Sequence, residues 1–399
     1  METLKIAMAT DWFLPRVGGV EYHVATISEL LTERGHEVHV LTNALFGQGK
    51  YPYVVHRIDK GINLRFWNVR VGYSMAKEIA DIIKKEHYDI VHGHNYFSPI
   101  SATAMNIASG IYGIPSIMTI HSMGEGPIRH MERFFANQAT AKVTAFIAIS
   151  SVTEEYLRNL LGKNMRARKV WRIPNGVDTE RWKPPKNKEE AKEKIGVNGP
   201  IILTASRLSI RKRVNAVPKI AKMVVKEHPE AKFIIVGDGV ERKTIETSIR
   251  QKKLGNNVIM VGAKPREEVV QYMKAADIYL DPTKIEALGM AVIEAQACGV
   301  PGLGYIKSGV RDIVENGKNG FLYRKDKEAA EQIKYLLDNP DELKRMGKHA
   351  REIAAERYDW KKIIKDLERA YRTTISDYEY RPYKIYEVWK RWKERKKSY

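Results

Sequence analysis

The chain is 399 residues long and 43% hydrophobic, too long for one ordinary core and long enough to bury two. A formal net charge of +20 points to an anionic partner, which composition leaves open as nucleic acid, an acidic lipid surface or phosphorylated small molecules. The single cysteine, Cys298, excludes an intrachain disulfide and a cysteine-rich zinc site; it fits a reducing cytoplasm, and the abundant Lys and Glu resemble a hyperthermophile's composition.

Residues 1–11 carry acidic and polar groups and no long apolar run, which argues against a secretory signal and suits a first strand over 5–9. Further along, the patterns predict helix 20–34, strand 37–42, helix 76–86, strand 90–94, helix 100–111, and strands 116–121, 145–150 and 170–174. No charged residue occurs over 96–124, but Pro99, Gly110, Gly113 and Pro115 cut that stretch into a helix and a strand, so no transmembrane helix is expected. Turn formers at 173–178, followed by Pro184 and Pro185, mark a junction.

A second series follows, with strands 201–205, 232–236, 258–261 and 278–280 and helices 214–226, 242–253, 266–275 and 290–298. This βαβ alternation predicts an α/β chain of two doubly wound parallel sheets facing a cleft. The expected domains are 1–172, 173–357 and a helical, basic and aromatic 358–399 that returns to the first. Ligands of such sheets bind beyond the carboxyl ends of the strands, so residues just after strands carry the most weight.

After the first strand, Gly18-Gly19 open a helix and let backbone approach a phosphate, although the plainer reading is a tight turn. After strand 201–205 comes the basic run Ser206 to Arg213, where Arg207 offers a bidentate guanidinium and Lys212 a movable ammonium to a diphosphate. Cations there would stabilise a leaving nucleoside diphosphate as it gains charge. Glu286 and Glu294 stand eight residues apart across the expected start of helix 290–298. One can meet a sugar and the other a ribose, while the amides of Leu288, Gly289 and Met290 face phosphate oxygens. Solvated glutamates on an amphipathic helix are the bland alternative.

His92 and His94 end one strand and His121 another. Alternate strand residues share a face, yet no matching carboxylate or cysteine set accompanies the pair, so no metal is expected, and no D-x-D carboxylate pair is present. His121, before a Gly-containing loop, is the better candidate for touching a transferred group.

Taken together, Pro15 to Glu21, Arg34 to His36, the strand ending at His121, Ile173 to Asp178, Ser206-Arg207-Leu208 with Lys212, and Glu286 to Pro301 resemble the retaining glycosyltransferases of family 4, over about residues 1–375. Stretches 18–23, 92–98 and 119–122 resemble most the members that glycosylate phosphatidylinositol. The resemblance implies the GT-B fold, a nucleoside-diphosphate sugar donor (UDP-N-acetylglucosamine before GDP-mannose), no tightly bound cofactor, and a lipid-linked or polyol acceptor. It implies that Gly18 and Gly19 lie by the donor phosphates, that Arg207 and Lys212 hold the diphosphate, and that Glu286 binds the sugar. Glu294 would bind ribose with Leu288, Gly289 and Met290 giving amides, His121 would contact the donor sugar, and His94 and Asn95 would face the acceptor. Three positions depart from the family pattern: Arg213 and Ala287 replace glycines, and Asp312 replaces a glutamate.

A lipid acceptor implies an anionic membrane surface and a peripheral cytoplasmic position. Two stretches suit it: the basic, aromatic 127–135, and the tail, where Ile385, Trp389 and Trp392 fall on one helical face among Lys and Arg. For the tail, packing on the first domain is the equal alternative. Nucleic-acid binding is the rival function class, but the motifs cluster at strand ends and form no basic stripe. Another GT-B enzyme, an epimerase or a phosphorylase, is the third.

Overall fold

A computed structural model describes residues 2–16, 18–43, 47, 49–64, 69–124, 129–165 and 168–378. Residues 127 and 128 and the tail tryptophans Trp389 and Trp392 lie outside them. The chain divides into two compact units, the first made of residues up to Ile149, Thr153–Ile173 and the chain from Ile364 on, the second of Ser150–Val152 and Pro174–Ile363.

The first unit's elements run β1 (Lys5–Ala9), α1 (Gly19–Glu33), β2 (Glu37–Asn43), β3 (Val54–Ile58), an antiparallel pair β4 (Ile62–Leu64) and β5 (Val69–Val71), and α2 (Tyr73–Glu86). They continue with β6 (Ile90–His94), α3 (Pro99–Ile107), β7 (Ser116–Ile120), α4 (Arg129–Ala139), β8 (Ala145–Ala148), α5 (Ser151–Leu161) and β9 (Lys169–Arg172). The sheet order is β3-β2-β1-β6-β7-β8-β9 with every pairing parallel. Its central strands are buried nearly end to end because helices cover both faces, as apolar runs such as Ile-Ala-Met-Ala of β1 require. Ile79 and Ile83 of α2, Ile100 and Ala104 of α3, and Phe146 of β8 share one core.

The second unit runs α6 (Lys188–Lys194), β10 (Ile201–Ala205), α7 (Val217–Val224), β11 (Lys232–Val236), α8 (Arg242–Gln251), β12 (Val258–Gly262), α9 (Arg266–Ala275) and β13 (Ile278–Leu280). Then come α10 (Met290–Ala297), β14 (Gly302–Tyr305), β15 (Gly320–Tyr323), α11 (Asp326–Asp338) and α12 (Pro340–Arg357). Its sheet, ordered β12-β11-β10-β13-β14-β15, is also parallel throughout. The winding reverses between β10 and β13, and in the first unit between β1 and β6. Those are the positions where loops on either side part to leave a crevice.

Several expected elements shift for identifiable reasons. Helix 100–111 stops at Ile107 and passes into a π-helical turn, Ala108–Tyr112, closed by left-handed Gly113. Helix 214–226 begins only at Val217, because Arg213 is left-handed at φ 52° and ends the preceding turn. The place where family members carry glycine is thus one whose backbone favours glycine, and Arg213 Nη2 there donates to both carboxylate oxygens of Asp326, at 2.6 and 2.7 Å. Strand 170–174 ends at Arg172, before Pro174, which has no N–H to give. Strands β14 and β15 escape pattern reading because glycine is rare in strands. Here it is required, since a Cβ on Gly302 would lie 2.6 Å from Val292 of α10 and one on Gly320 2.0 Å from the Gly302 carbonyl oxygen.

The final helix, α13 (Trp360–Ser376), belongs to the first unit from Ile364 on. Ile364, Leu367, Ala370 and Tyr371 form its buried stripe. Glu368 accepts from Arg34 at 2.7 and 2.8 Å and lies 2.9 Å from His36 Nε2. Burial opposes its ionisation, but the hydrogen bonds from Arg34 and His36 outweigh that and hold its pKa below the usual carboxylate value. Glu368→Ala is expected to cost about 2–4 kcal/mol in urea unfolding, between a surface pair and a fully buried one. Because the folded pKa is depressed, the wild-type advantage over Glu368→Ala is present above the ordinary carboxylate pKa of 4.5 and shrinks as pH falls below it.

Candidate active site

In the second unit the loop after β10 is held by backbone. Ser206 N donates to Val236 O at 3.0 Å, Leu208 N to Asp238 O at 2.9 Å, and Glu241 N to Leu208 O at 3.0 Å. The partner loop after β11 supplies Gly237 and Gly239, both at positive φ, where a Cβ would stand 1.9 Å from Ser206 O and 2.5 Å from Leu208 O. No side chain fits there, so the two loops lie backbone on backbone and Leu208 is buried, while Arg207 stays exposed. The motif reading above missed this pair, though a Gly-x-Gly directly after a strand is a signal that marks it.

Lys212 closes a short turn, Ile210–Lys212, and its ammonium bonds directly to the Glu286 carboxylate. Glu286 in turn takes the amide of Ala287 at 3.1 Å, and its carbonyl accepts Gly309 N at 2.8 Å. Asp281, the first residue beyond β13, is buried beside this pair and accepts from Thr283 N at 2.9 Å. Burial and the nearby Glu286 push its carboxyl pKa up, partly countered by Lys212. Its strand-end position is the signal by which the sequence could have revealed Asp281.

The helix α10 starts at Gly289, left-handed at φ 104°, where a Cβ would stand 2.9 Å from Val310. Among the described residues no backbone acceptor meets the amides of Leu288, Gly289 and Met290, so they form a small positive cup. Further along the helix, Glu294 receives Arg266 Nη2 at 2.7 Å, and burial raises its pKa against the pull of Arg266 and Arg181. Arg266, which no motif in the sequence marks, also lies 5.5 Å over the Trp182 ring.

In the first unit, Gly18 and Gly19 open α1 as expected, and around Gly19 a Cβ would meet nothing within 4 Å. Beside Gly18 stands the buried carboxylate of Glu21, paired with Arg16 at 3.1 Å. His94 and Asn95, expected to face an acceptor, are buried at 0% and 1% exposure. Asn95 takes a structural part, its side-chain oxygen accepting His121 N at 2.9 Å and its own N donating to Thr119 O at 2.9 Å. Asn95 follows β6 in the left-handed backbone region, at φ 64°, which the strand pattern does not reveal.

His121 is 8% exposed, and its Nε2 lies 3.0 Å from His94 Nδ1. His23 of α1 packs edge-on against both rings, with centroids 4.7 Å from His121 and 5.7 Å from His94. Burial pushes the His23 pKa down to about 3 and those of His94 and His121 well below the usual value, so all are neutral. His92 instead lies 2.7 Å from Tyr371 Oη and 2.7 Å from Thr119 Oγ1. A separate group is formed by His39, His56 and Glu86. There Lys5 bonds Glu37 at 2.8 Å and Glu86 at 2.9 Å.

Residues 17–181 match the family described as "Glycosyltransferase Family 4", and residues 185–353 match "Glycosyl transferases group 1". The two stretches fall one on each half of the chain and together take up most of it. The chain is a family 4 type glycosyltransferase with the GT-B fold. The glycosyltransferase is 25% identical over 386 residues (92% of this chain, 81% of the relative) to a phosphatidylinositol N-acetylglucosaminyltransferase subunit of Arabidopsis thaliana. It is 27% identical over 378 residues (91% and 96%) to N-acetyl-alpha-D-glucosaminyl L-malate synthase of Bacillus anthracis. Its fold superposes on Anabaena HepE in complex with UDP with a TM-score of 0.76 at 20% identity, covering 93% of this chain and 100% of that one.

The glycine packing under Arg207 makes a direct prediction for the enzyme. Gly237→Ala, with its Cβ driven against Ser206 O at a positive φ, should cost about 2–4 kcal/mol in denaturant unfolding. Ala at Gly255, where nothing lies within 4 Å, should change stability by less than about 1 kcal/mol.

Proposed function

We propose that this glycosyltransferase moves a hexose or N-acetylhexosamine, with retained configuration, from a UDP-linked donor to a lipid-linked or polyol acceptor. The reading rests above all on the direct contact of Lys212 with Glu286, which joins the cationic and acidic motifs at the reversal between β10 and β13. In this reading Lys212 and exposed Arg207 hold the donor diphosphate, and the cup of amides at 288–290 takes further phosphate oxygens. Glu286 accepts from sugar hydroxyls and Glu294 from the ribose.

The preference for UDP over GDP is supported by the UDP complex of HepE, and that for an N-acetylglucosaminyl group by the names of both curated relatives. Chemically, the bond from the anomeric carbon to the phosphate oxygen breaks while a bond to the acceptor oxygen forms on the same face. The acceptor's proton passes to the departing phosphate oxygen, whose growing charge Arg207 and Lys212 offset. No enzymic nucleophile is needed for that course.

Isothermal titration with UDP-, GDP- and ADP-sugars should give binding for the UDP donor, and Glu294→Ala should weaken it by about 1–3 kcal/mol, the range for a lost hydrogen bond to a charged group. Unchanged affinity in a variant with a wild-type unfolding curve would refute the ribose role. Anomeric analysis of the product by NMR checks retention.

A peripheral position on an anionic membrane follows from the same acceptor class. It is supported by Phe134 and Phe135 of α4, 61% and 59% exposed beside exposed Arg133. Among the described residues no helix is long and apolar enough to cross a bilayer. Sedimentation with phosphatidylglycerol vesicles should pull down the wild type, and Phe134→Ser/Phe135→Ser should lower the bound fraction several-fold; equal binding to neutral phosphatidylcholine vesicles would count against the role.

A further inference from the structure

We infer that His23, His94 and His121 form a three-histidine site for a divalent transition metal of the zinc class, at the strand-end edge of the first unit. The three residues each offer a ring nitrogen, and these atoms all lie within 4.8 Å of one another. They reach one place from three elements: His23 from the second turn of α1, His94 from the end of β6, and His121 just past β7. Adjacent parallel strands carry His94 opposite Thr119, so the register itself sets His121 two residues beyond, over the same edge.

The distances suit a small cation. Tetrahedral zinc with nitrogen bonds of about 2.0–2.1 Å holds its ligand nitrogens about 3.3–3.4 Å apart. His94 Nδ1 and His121 Nε2 are 3.0 Å apart and the three ligand nitrogens lie within 4.8 Å of one another, so a few tenths of an ångström of opening in that pair and an inward shift of the His23 ring admit the ion.

The hydrogen bonding of the pair defines which nitrogens face the ion. Each neutral imidazole carries one proton, so one ring of the His94–His121 pair donates to the other. That leaves His94 Nε2 and His121 Nδ1 over, and both are buried with no hydrogen-bond partner among the described residues. A metal that replaces the proton shared by His94 Nδ1 and His121 Nε2 takes those facing nitrogens, and the two left over then carry the N–H of each bound ring. Neutral imidazoles converging from three elements favour a cation there. Asp11, at the end of neighbouring β1, adds a buried carboxylate to the same edge.

The His39, His56 and Glu86 group shows what a cluster without this capacity looks like. Lys5 already brings a positive charge to Glu86, and His39 is engaged at both nitrogens, by Tyr88 at 2.9 Å and His56 at 3.0 Å on Nδ1 and by Glu37 at 3.2 Å on Nε2. It serves as the internal control.

The test uses the full chain without a polyhistidine tag, incubated with zinc, freed of excess ion and measured by plasma mass spectrometry. Wild type and His56→Ala are expected to hold about one zinc per chain, and His23→Gln and His94→Asn about a tenth of that or less. X-ray absorption on the loaded wild type should report three imidazole nitrogens at about 2.0–2.1 Å. Zinc should also raise the melting temperature of wild type and of His56→Ala but not of His94→Asn. Two outcomes overturn the site: wild type that retains no zinc, or zinc that is lost with His56→Ala and kept in the other two variants. Circular dichroism of each variant separates metal loss from misfolding, and since no readout is enzymatic, the result stands apart from the glycosyl-transfer reading.

Discussion

The loops that carry Lys212 and Glu286 meet because a parallel sheet wound outward from β10 in both directions must part its connections where the winding reverses. The loop after β10 turns toward β11 and the loop after β13 toward β14, and in the gap between them Lys212 and Glu286, 74 residues apart, touch. Everything proposed for the donor depends on that parting. The glycines after β11 hold one wall of it, and left-handed Gly289 sets the start of the other.

Charge compensation within the second unit has a common form. Lys212 against Glu286 and Arg266 against Glu294 are opposite charges already in contact, each carboxylate mostly screened from solvent. A site built this way does not wait for a ligand with bare charges, which would be costly to bury. It offers groups that can exchange one partner for another, and it keeps them oriented meanwhile. Asp281 adds a third carboxyl whose raised pKa reflects burial and the proximity of Glu286.

The first unit uses the same strand-end edge with different chemistry. Its reversal point, between β1 and β6, carries neutral imidazoles beside the Arg16–Glu21 ion pair. Burial is responsible, since a fully enclosed imidazole loses more by charging than any neighbour here returns.

Period and punctuation in the sequence determined the two alternating series, their parallel pairing and the class of fold, because helix and strand faces are local properties of spacing. β11, α9 and β13 fall on the residues expected of them. Arg207, Lys212 and Glu286 stand out in the sequence because they follow strands, and Glu294 because it lies eight residues beyond Glu286 within the helix that follows. Strands β14 and β15 were not, since their glycines answer to Val292 and to each other across space and not to any neighbour in sequence. Nor were Arg266 and His23, whose partners lie in other elements; Asp281, just after β13, carries the same positional signal as Arg207. The burial of His94 and Asn95 was likewise decided only in the folded chain, His94 by its pairing opposite Thr119 and Asn95 by its left-handed backbone just past β6.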